Sequence, residues 1–241
     1  FTFPLMFFFF KKYLVWTDKP KLQLIRGLIL LTANISFFYS ISVISLPKAL
    51  TLAFVAPLVV TAFSPFFLGE SVGYRRWAAV IIGFIGSLVV IRPGFLEINL
   101  ASLAALGTGI MYGFYLIITR KLSTSDNPLL TLLLTGVVGA IIATTFMPFV
   151  WVSPTFNQWS IMAAIGLFAC IGHLFIILSL KYADASKLAP FSYFEIVTNI
   201  IIAYYFFGDF PDSWTCLGLF IIVFSGIYIS RRENIVKKIK I

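Results

Sequence analysis

Few residues in this chain could do chemistry, and those few stand in apolar surroundings. Glu195 lies in APFSYFEIVTNIIIAYYFFGDFPD, residues 189–212, a run long enough to cross a bilayer. A helix over about residues 186–207 puts it close to the midplane of a hydrocarbon core about 30 Å thick. An acidic side chain there costs about 2.5 to 3.5 kcal/mol on insertion scales, so it is expected to face protein or a wet cavity. Ser192, Glu195 and Asn199, at i, i+3 and i+7, share one narrow helical face. Such a face can bind a substrate ammonium or sulfonium group, or exchange a coupling proton. The plainer reading is a protonated acid that hydrogen-bonds two helices together; the functional reading is preferred. Pro190, just upstream, lacks an N–H and loosens the helix in a way that suits gating.

His173 is the single histidine and falls mid-span, with Gly166 and Cys170 keeping its face uncrowded. A shift of 139 residues overlays it on Asn34, so two polar side chains occupy equivalent depths. Either they line a cavity or each makes an interhelical hydrogen bond, and the two readings weigh evenly. The same shift puts Glu195 on Ala56, which makes a lopsided site suited to a substrate with one charged end. Thr32, Ser36 and Ser40 form a hydroxyl stripe, and Tyr39 and Tyr193 offer hydroxyls or ring faces to a cation. Serines in membrane helices usually bond their own backbone, which weakens that stripe as a site. Pro57 and Pro65 read as kinks in one helix. Ala101, Ala105, Gly109 and Gly113 make a close-packing face, for the monomer by preference and a homodimer otherwise. Glu70 and Asp209, after glycine at span ends, are read as orienting the next helix.

The elements that must hold these residues are transmembrane helices. Hydrophobic residues make up 60% of the 241 and charged ones 11%, against about 25% charged in a soluble domain; mean hydropathy is +1.01. Eight full spans are expected, at about 24–45, 48–68, 75–91, 99–119, 128–151, 158–180, 186–207 and 214–230. Residues 1–16 read as the exit half of a helix whose start is missing. No metal-ligand spacing is present, neither cysteine belongs to a disulfide pattern, and no cofactor is expected.

Charge gives the orientation. Alternate loops and the carboxyl tail hold sixteen Lys and Arg, from Lys11 through Arg26, Arg75, Arg120 and Lys181 to Lys240. The opposite loops hold only Lys48 and Arg92. Sixteen against two places the carboxyl terminus in the cytoplasm, so the net charge of +9 is a topology signal and nucleic acid is not an expected partner. The 139-residue shift also overlays Gly69-Glu70 on Gly208-Asp209 and Lys48 on Lys187. Five crossings separate the copies, so the second runs oppositely through the bilayer. Inverted repeats of this kind mark secondary transporters with a site near the midplane.

The blocks RGLILLTANISFFYSISVISLPKALTLAFVAPLVV, FFLGESVGYRRWAAVIIGFIGSLVVIRPG, LKYADASKLAPFSYFEIV and YYFFGDFPDSWTCLGLFIIVFSGIYISRRE resemble the EamA family of the drug/metabolite transporter superfamily. APFSYFEIV with FGDFPD is similar to bacterial members described as S-adenosylmethionine uptake transporters. The resemblance implies an all-α polytopic membrane protein with two inverted repeats of five transmembrane helices, here lacking the first helix and part of the second. It divides the chain into repeats at 1–94 and 99–232 and a cytoplasmic basic tail at 233–241. It implies secondary transport of a small metabolite across the bacterial inner membrane, by import or export. An intramembrane enzyme fits poorly, since Asp209 and Asp212 lack a mid-span partner and His173 stands alone. No phosphate-binding glycine loop is present for ATP-driven pumping. A channel is the alternative that polar cavity residues also suit.

Overall fold

Runs of about twenty apolar residues, punctuated by Pro and Gly, leave the backbone one way to satisfy its hydrogen bonds within lipid, which is helix. The computed structural model describes residues 17–69, 73–91, 99–182, 198–208 and 210–239, and all regular structure among them is helical. The helices are α1 Pro20–Ile41, α2 Leu46–Ala53, α3 Ala56–Leu68, α4 Tyr74–Ile91 and α5 Leu100–Leu122. They continue with α6 Pro128–Val150, α7 Phe156–Tyr182, α8 Thr198–Phe207 and α9 Ser213–Ile239. Five segments are long and apolar enough to span a membrane: α1, α2 with α3, α5, α6 and α7. Among the described residues, the apolar parts of α4, α8 and α9 are shorter. The chain is an all-α, multi-pass membrane protein, and the described helices fall where the spans were expected, except that α9 runs on to Ile239, past the expected end near 230 and into the expected tail.

Local chemistry sets the helix ends. Asn127 accepts from the Leu129 N–H at 2.9 Å ahead of Pro128, capping α6. Thr155 and Gln158 form a reciprocal capping box on α7: the Thr155 N–H donates to Gln158 Oε1 at 2.8 Å, and the Gln158 N–H donates to Thr155 Oγ1 at 3.4 Å. Asp212 Oδ1 accepts from the Thr215 N–H at 2.8 Å at the start of α9. Gly69 follows α3 with φ 70° and Gly208 follows α8 with φ 69°, two left-handed caps related by the 139-residue shift. A side chain in that conformation costs roughly 1–2 kcal/mol. Gly69→Ala and Gly208→Ala should each lower stability by about 1 kcal/mol, read as earlier thermal unfolding in detergent; melting at the wild-type temperature would refute the strain.

The chain divides into two compact units, each drawing on both halves of the sequence: Phe1–Leu31 with Ile118–Ala183, and Thr32–Ile117 with Asp184–Ile241. In the second unit the core is built on α3. Val55, Leu58, Val59 and Ala62 pack with Ala79 and Val80 of α4 and Ile222 of α9, and Leu106, Ile110 and Phe114 of α5 close over them. Pro57 lies in the first turn of α3, just after the helix breaks at Phe54–Val55. With no N–H at Pro57, the Ala53 carbonyl has no helical donor. It is turned toward Gly109, where a Cβ would sit 2.5 Å from its oxygen. Pro65 stays within α3; the Thr61 carbonyl it deprives of an N–H accepts from Ser64 Oγ at 3.3 Å. The stripe of small residues on α5 is occupied inside the chain. Ala101 and Ala105 are buried, and Gly113 lies against Val59 and the Ala56 carbonyl. The monomer-packing reading of that stripe stands.

In the same unit α4 packs on α9. A Cβ on Gly86 would meet Ile221 at 2.9 Å, and one on Gly218 would meet Val90 at 2.3 Å and the Gly86 carbonyl at 2.6 Å. Later residues of α4 thus meet earlier residues of α9, so the helices run antiparallel.

Candidate functional site

In the first unit α1 brings polar groups into the interior. Arg26, six residues into α1, has no exposed surface. Its Nε–H donates to Thr119 Oγ1 of α5 at 2.7 Å; its NH1 donates to the Thr131 carbonyl of α6 at 3.1 Å and to Thr135 Oγ1. One turn earlier, Gln23 Nε2 donates to Asp126 Oδ2 at 2.7 Å and to Thr131 Oγ1 at 3.0 Å. Thr17 Oγ1 donates to the same carboxylate oxygen at 2.6 Å, and Ser125 Oγ to Oδ1 at 2.9 Å. Gln23 Oε1 is buried and has no partner among the described residues. Three donors on one carboxylate compensate its removal from water.

His173 belongs to this unit. It lies half-buried on the one packed face of α7, among Cys170, Leu174 and Ile177, which meet Leu132 of α6. The end of α7 is tied to α5, because the Leu180 carbonyl accepts from Arg120 at 2.5 Å and from Ser123 Oγ at 3.2 Å. A cation at a helix carboxyl end is favourable.

The other expected residues fall in the second unit or outside the described residues. On α1, Thr32 is exposed, Ser36 half-buried and Ser40 fully buried, its Oγ without a partner among the described residues. The four-residue spacing advances about 40° per step around a helix, which accounts for that gradient. Asn34, two residues from Ser36 and so about 200° round, is exposed beside Ile35. The structure therefore places Asn34 on a different face of α1 from Ser36 and Ser40. Asn199 is half-buried at the start of α8. Glu195, Ser192, Tyr193 and Pro190 lie outside the described residues, as do Glu70 and Asp209.

Sequence reasoning misplaced Arg26 by counting it with loop cations. The signal was Gln23 and Arg26 at i, i+3 inside an apolar run, a pair that shares one helix face. A groove of about 430 Å³ in the first unit, lined by Met147, Trp151, Gln158, Met162 and neighbours, holds none of the candidate residues and is almost wholly apolar. Its lining carries no charged side chain. Among the described residues no group of His, Cys, Asp and Glu could hold a metal ion.

Known proteins align over most of this length. The chain is 26% identical to an S-adenosylmethionine uptake transporter of Rickettsia bellii, over 96% of this chain and 80% of that protein. It is 30% identical to a riboflavin transporter of Vibrio cholerae over 78% of this chain and 63% of the other. A pseudopaline exporter of Pseudomonas aeruginosa is 25% identical over 88% and 75% of the two chains. A solved crystal structure superposes with a TM-score of 0.63 at 20% identity, covering 89% of this chain and 76% of its own, which shows a shared fold. The relatives are named as carriers of different small molecules and none as an enzyme, so this is a small-molecule membrane transporter. The EamA-like transporter family matches twice, over residues 1–92 and 99–231. With both halves matched and helices where that fold has them, the chain belongs to the EamA-like transporter family.

Proposed function

We propose that the chain is a secondary transporter of the bacterial inner membrane that takes up a small organic metabolite with a positive group, S-adenosylmethionine-like, amino acid or amine, by alternating access. The observation that carries this reading is the alignment with a named S-adenosylmethionine uptake transporter over 96% of the chain. The double family match supports repeats at 1–94 and 99–232, and the basic residues from Arg231 to Lys240 are the ground for a cytoplasmic tail at 233–241. The paired left-handed glycines and the antiparallel α4–α9 contact agree with an inverted relation between the repeats. In this reading Glu195 binds the cationic group or exchanges a proton for it, with Ser192, Tyr193 and Asn199 beside it. His173, Asn34, Ser36 and Ser40 supply further polar contacts, and Pro57 and Pro190 give the flexing points. Export is the second reading, favoured by the aligned pseudopaline exporter.

Membrane vesicles carrying the protein test this with labelled S-adenosylmethionine, amino acids and polyamines. A carrier shows saturable uptake that accelerates when the opposite side is preloaded with unlabelled substrate. Flux that is linear in concentration and indifferent to preloading would replace the carrier by a channel.

A further inference from the structure

A guanidinium within a membrane helix is costly, and such groups are kept where they pair inside protein and serve function. We propose that Arg26 is a positioning residue for transport. With Gln23, Thr17 and Asp126 it forms a polar latch holding α1 against the end of α5 and the start of α6, and the cycle opens that end by parting the latch. The proposal rests on the carrier reading given above.

Two features favour a latch over a permanent brace. The cluster gathers at one end of the helices: Thr17 and Gln23 at the start of α1, Asp126 in the α5–α6 turn, and Thr131 one turn into α6. Gln23 Oε1 is buried without a donor among the described residues. An unsatisfied buried acceptor raises the energy of the closed arrangement, and water entering an opened end would satisfy it. By contrast, the nearby α1–α6 contact at Gly27, where a Cβ would lie 2.9 Å from Val138 Cβ, is apolar and gains nothing from water.

Cysteine labelling tests this on the full chain, with Cys170 and Cys216 replaced by serine. One reporter is Leu30→Cys, 6% exposed and one turn deeper than Arg26; the other is Ser40→Cys, fully buried near the far end of α1. Vesicles of both orientations are treated with a membrane-impermeant methanethiosulfonate. A latch predicts that Arg26→Met and Gln23→Leu each raise labelling of the Leu30 reporter from the Asp126 face at least tenfold. Labelling of the Ser40 reporter from the other face falls or holds steady, and Arg26→Lys restores part of the protection. Equal rises at both reporters would mark a brace whose loss loosens everything, and no rise at either would mark a group with no role in closure; each overturns the proposal. Should Arg26→Met fail to reach the membrane, Gln23→Leu, which spares the guanidinium bonds, is read alone by the same criteria. Labelling needs no substrate, so a negative result here leaves the carrier reading standing, and a failed uptake screen leaves the labelling readable.

Discussion

Replacing Glu195 by glutamine is expected to weaken substrate binding by roughly 30-fold to several thousand-fold, from a loss of about 2–5 kcal/mol when one partner of a desolvated charge pair is truncated. The substitution keeps volume and hydrogen-bonding capacity and removes only the charge, so it separates the two roles open to this residue. A glutamic acid that merely bonds two helices would be replaced by an amide that bonds them nearly as well, and uptake would continue. A carboxylate that meets a substrate cation, or gives up a proton in each cycle, has no substitute in the amide. The sequence supports the expectation: Glu195 lies within the apolar run 189–212, where an acidic side chain is costly unless it meets protein or water. Glu195→Asp should recover part of the affinity, since it restores the charge with a shorter reach. The measurement is the substrate concentration giving half-maximal uptake, taken across pH. Kinetics that match the parent at every pH would remove Glu195 from the mechanism.

The fold was legible because bilayer physics leaves few choices. Twenty apolar residues between Pro and Gly must become a helix, and the described helices follow the expected spans closely except α9, which continues to Ile239. The 139-residue repeat was readable from loop register, and the two glycines it pairs, at 69 and 208, share a left-handed backbone. The site was less legible because burial depends on neighbours that no single helix encodes. Arg26 looked like one more cation near a span end. Only the approach of Thr119, Thr131 and Thr135 from α5 and α6 reveals that the guanidinium is enclosed. Asn34 and Ser40 lie on one helix, and a separation of six residues turns them to different surroundings, one exposed and one buried. Pro57 was read as a kink, and the structure makes it the start of a new helix whose freed upstream carbonyl turns toward Gly109. Sequence supplied the proline; the partner glycine 52 positions later, on another helix, had no local signature.

The seam between α4 and α9 should tolerate little added volume. Gly218→Leu is expected to prevent stable assembly, and Gly218→Ala to cost about 1–3 kcal/mol, the usual range for overpacking a filled core. An added Cβ at 218 would lie 2.6 Å from the Gly86 carbonyl oxygen, which is backbone and cannot rotate away. Gly86→Ala meets the converse obstacle, with the Gly218 carbonyl at 3.0 Å. Helices in lipid gain nothing from apolar burial as such, so close approach of backbones through small residues is what holds such a pair. The 139-residue shift carries Gly86 onto Ser225 and Ala79 onto Gly218, and Ala79 and Ser225 are each 5% exposed. A pair of small buried residues therefore lies on either side of the centre of the crossing, as two oppositely running copies of one helix require. Thermal unfolding of the purified protein in detergent reads the cost directly. Gly107 and Gly172 serve as controls, since a Cβ at either meets nothing within 4 Å, and alanine there should be neutral or mildly stabilising through helix propensity. If Gly218→Ala melts with those controls, the close contact is not what joins α4 to α9, and the seam must be held by the larger side chains around it, Val90, Ile221 and Ile222.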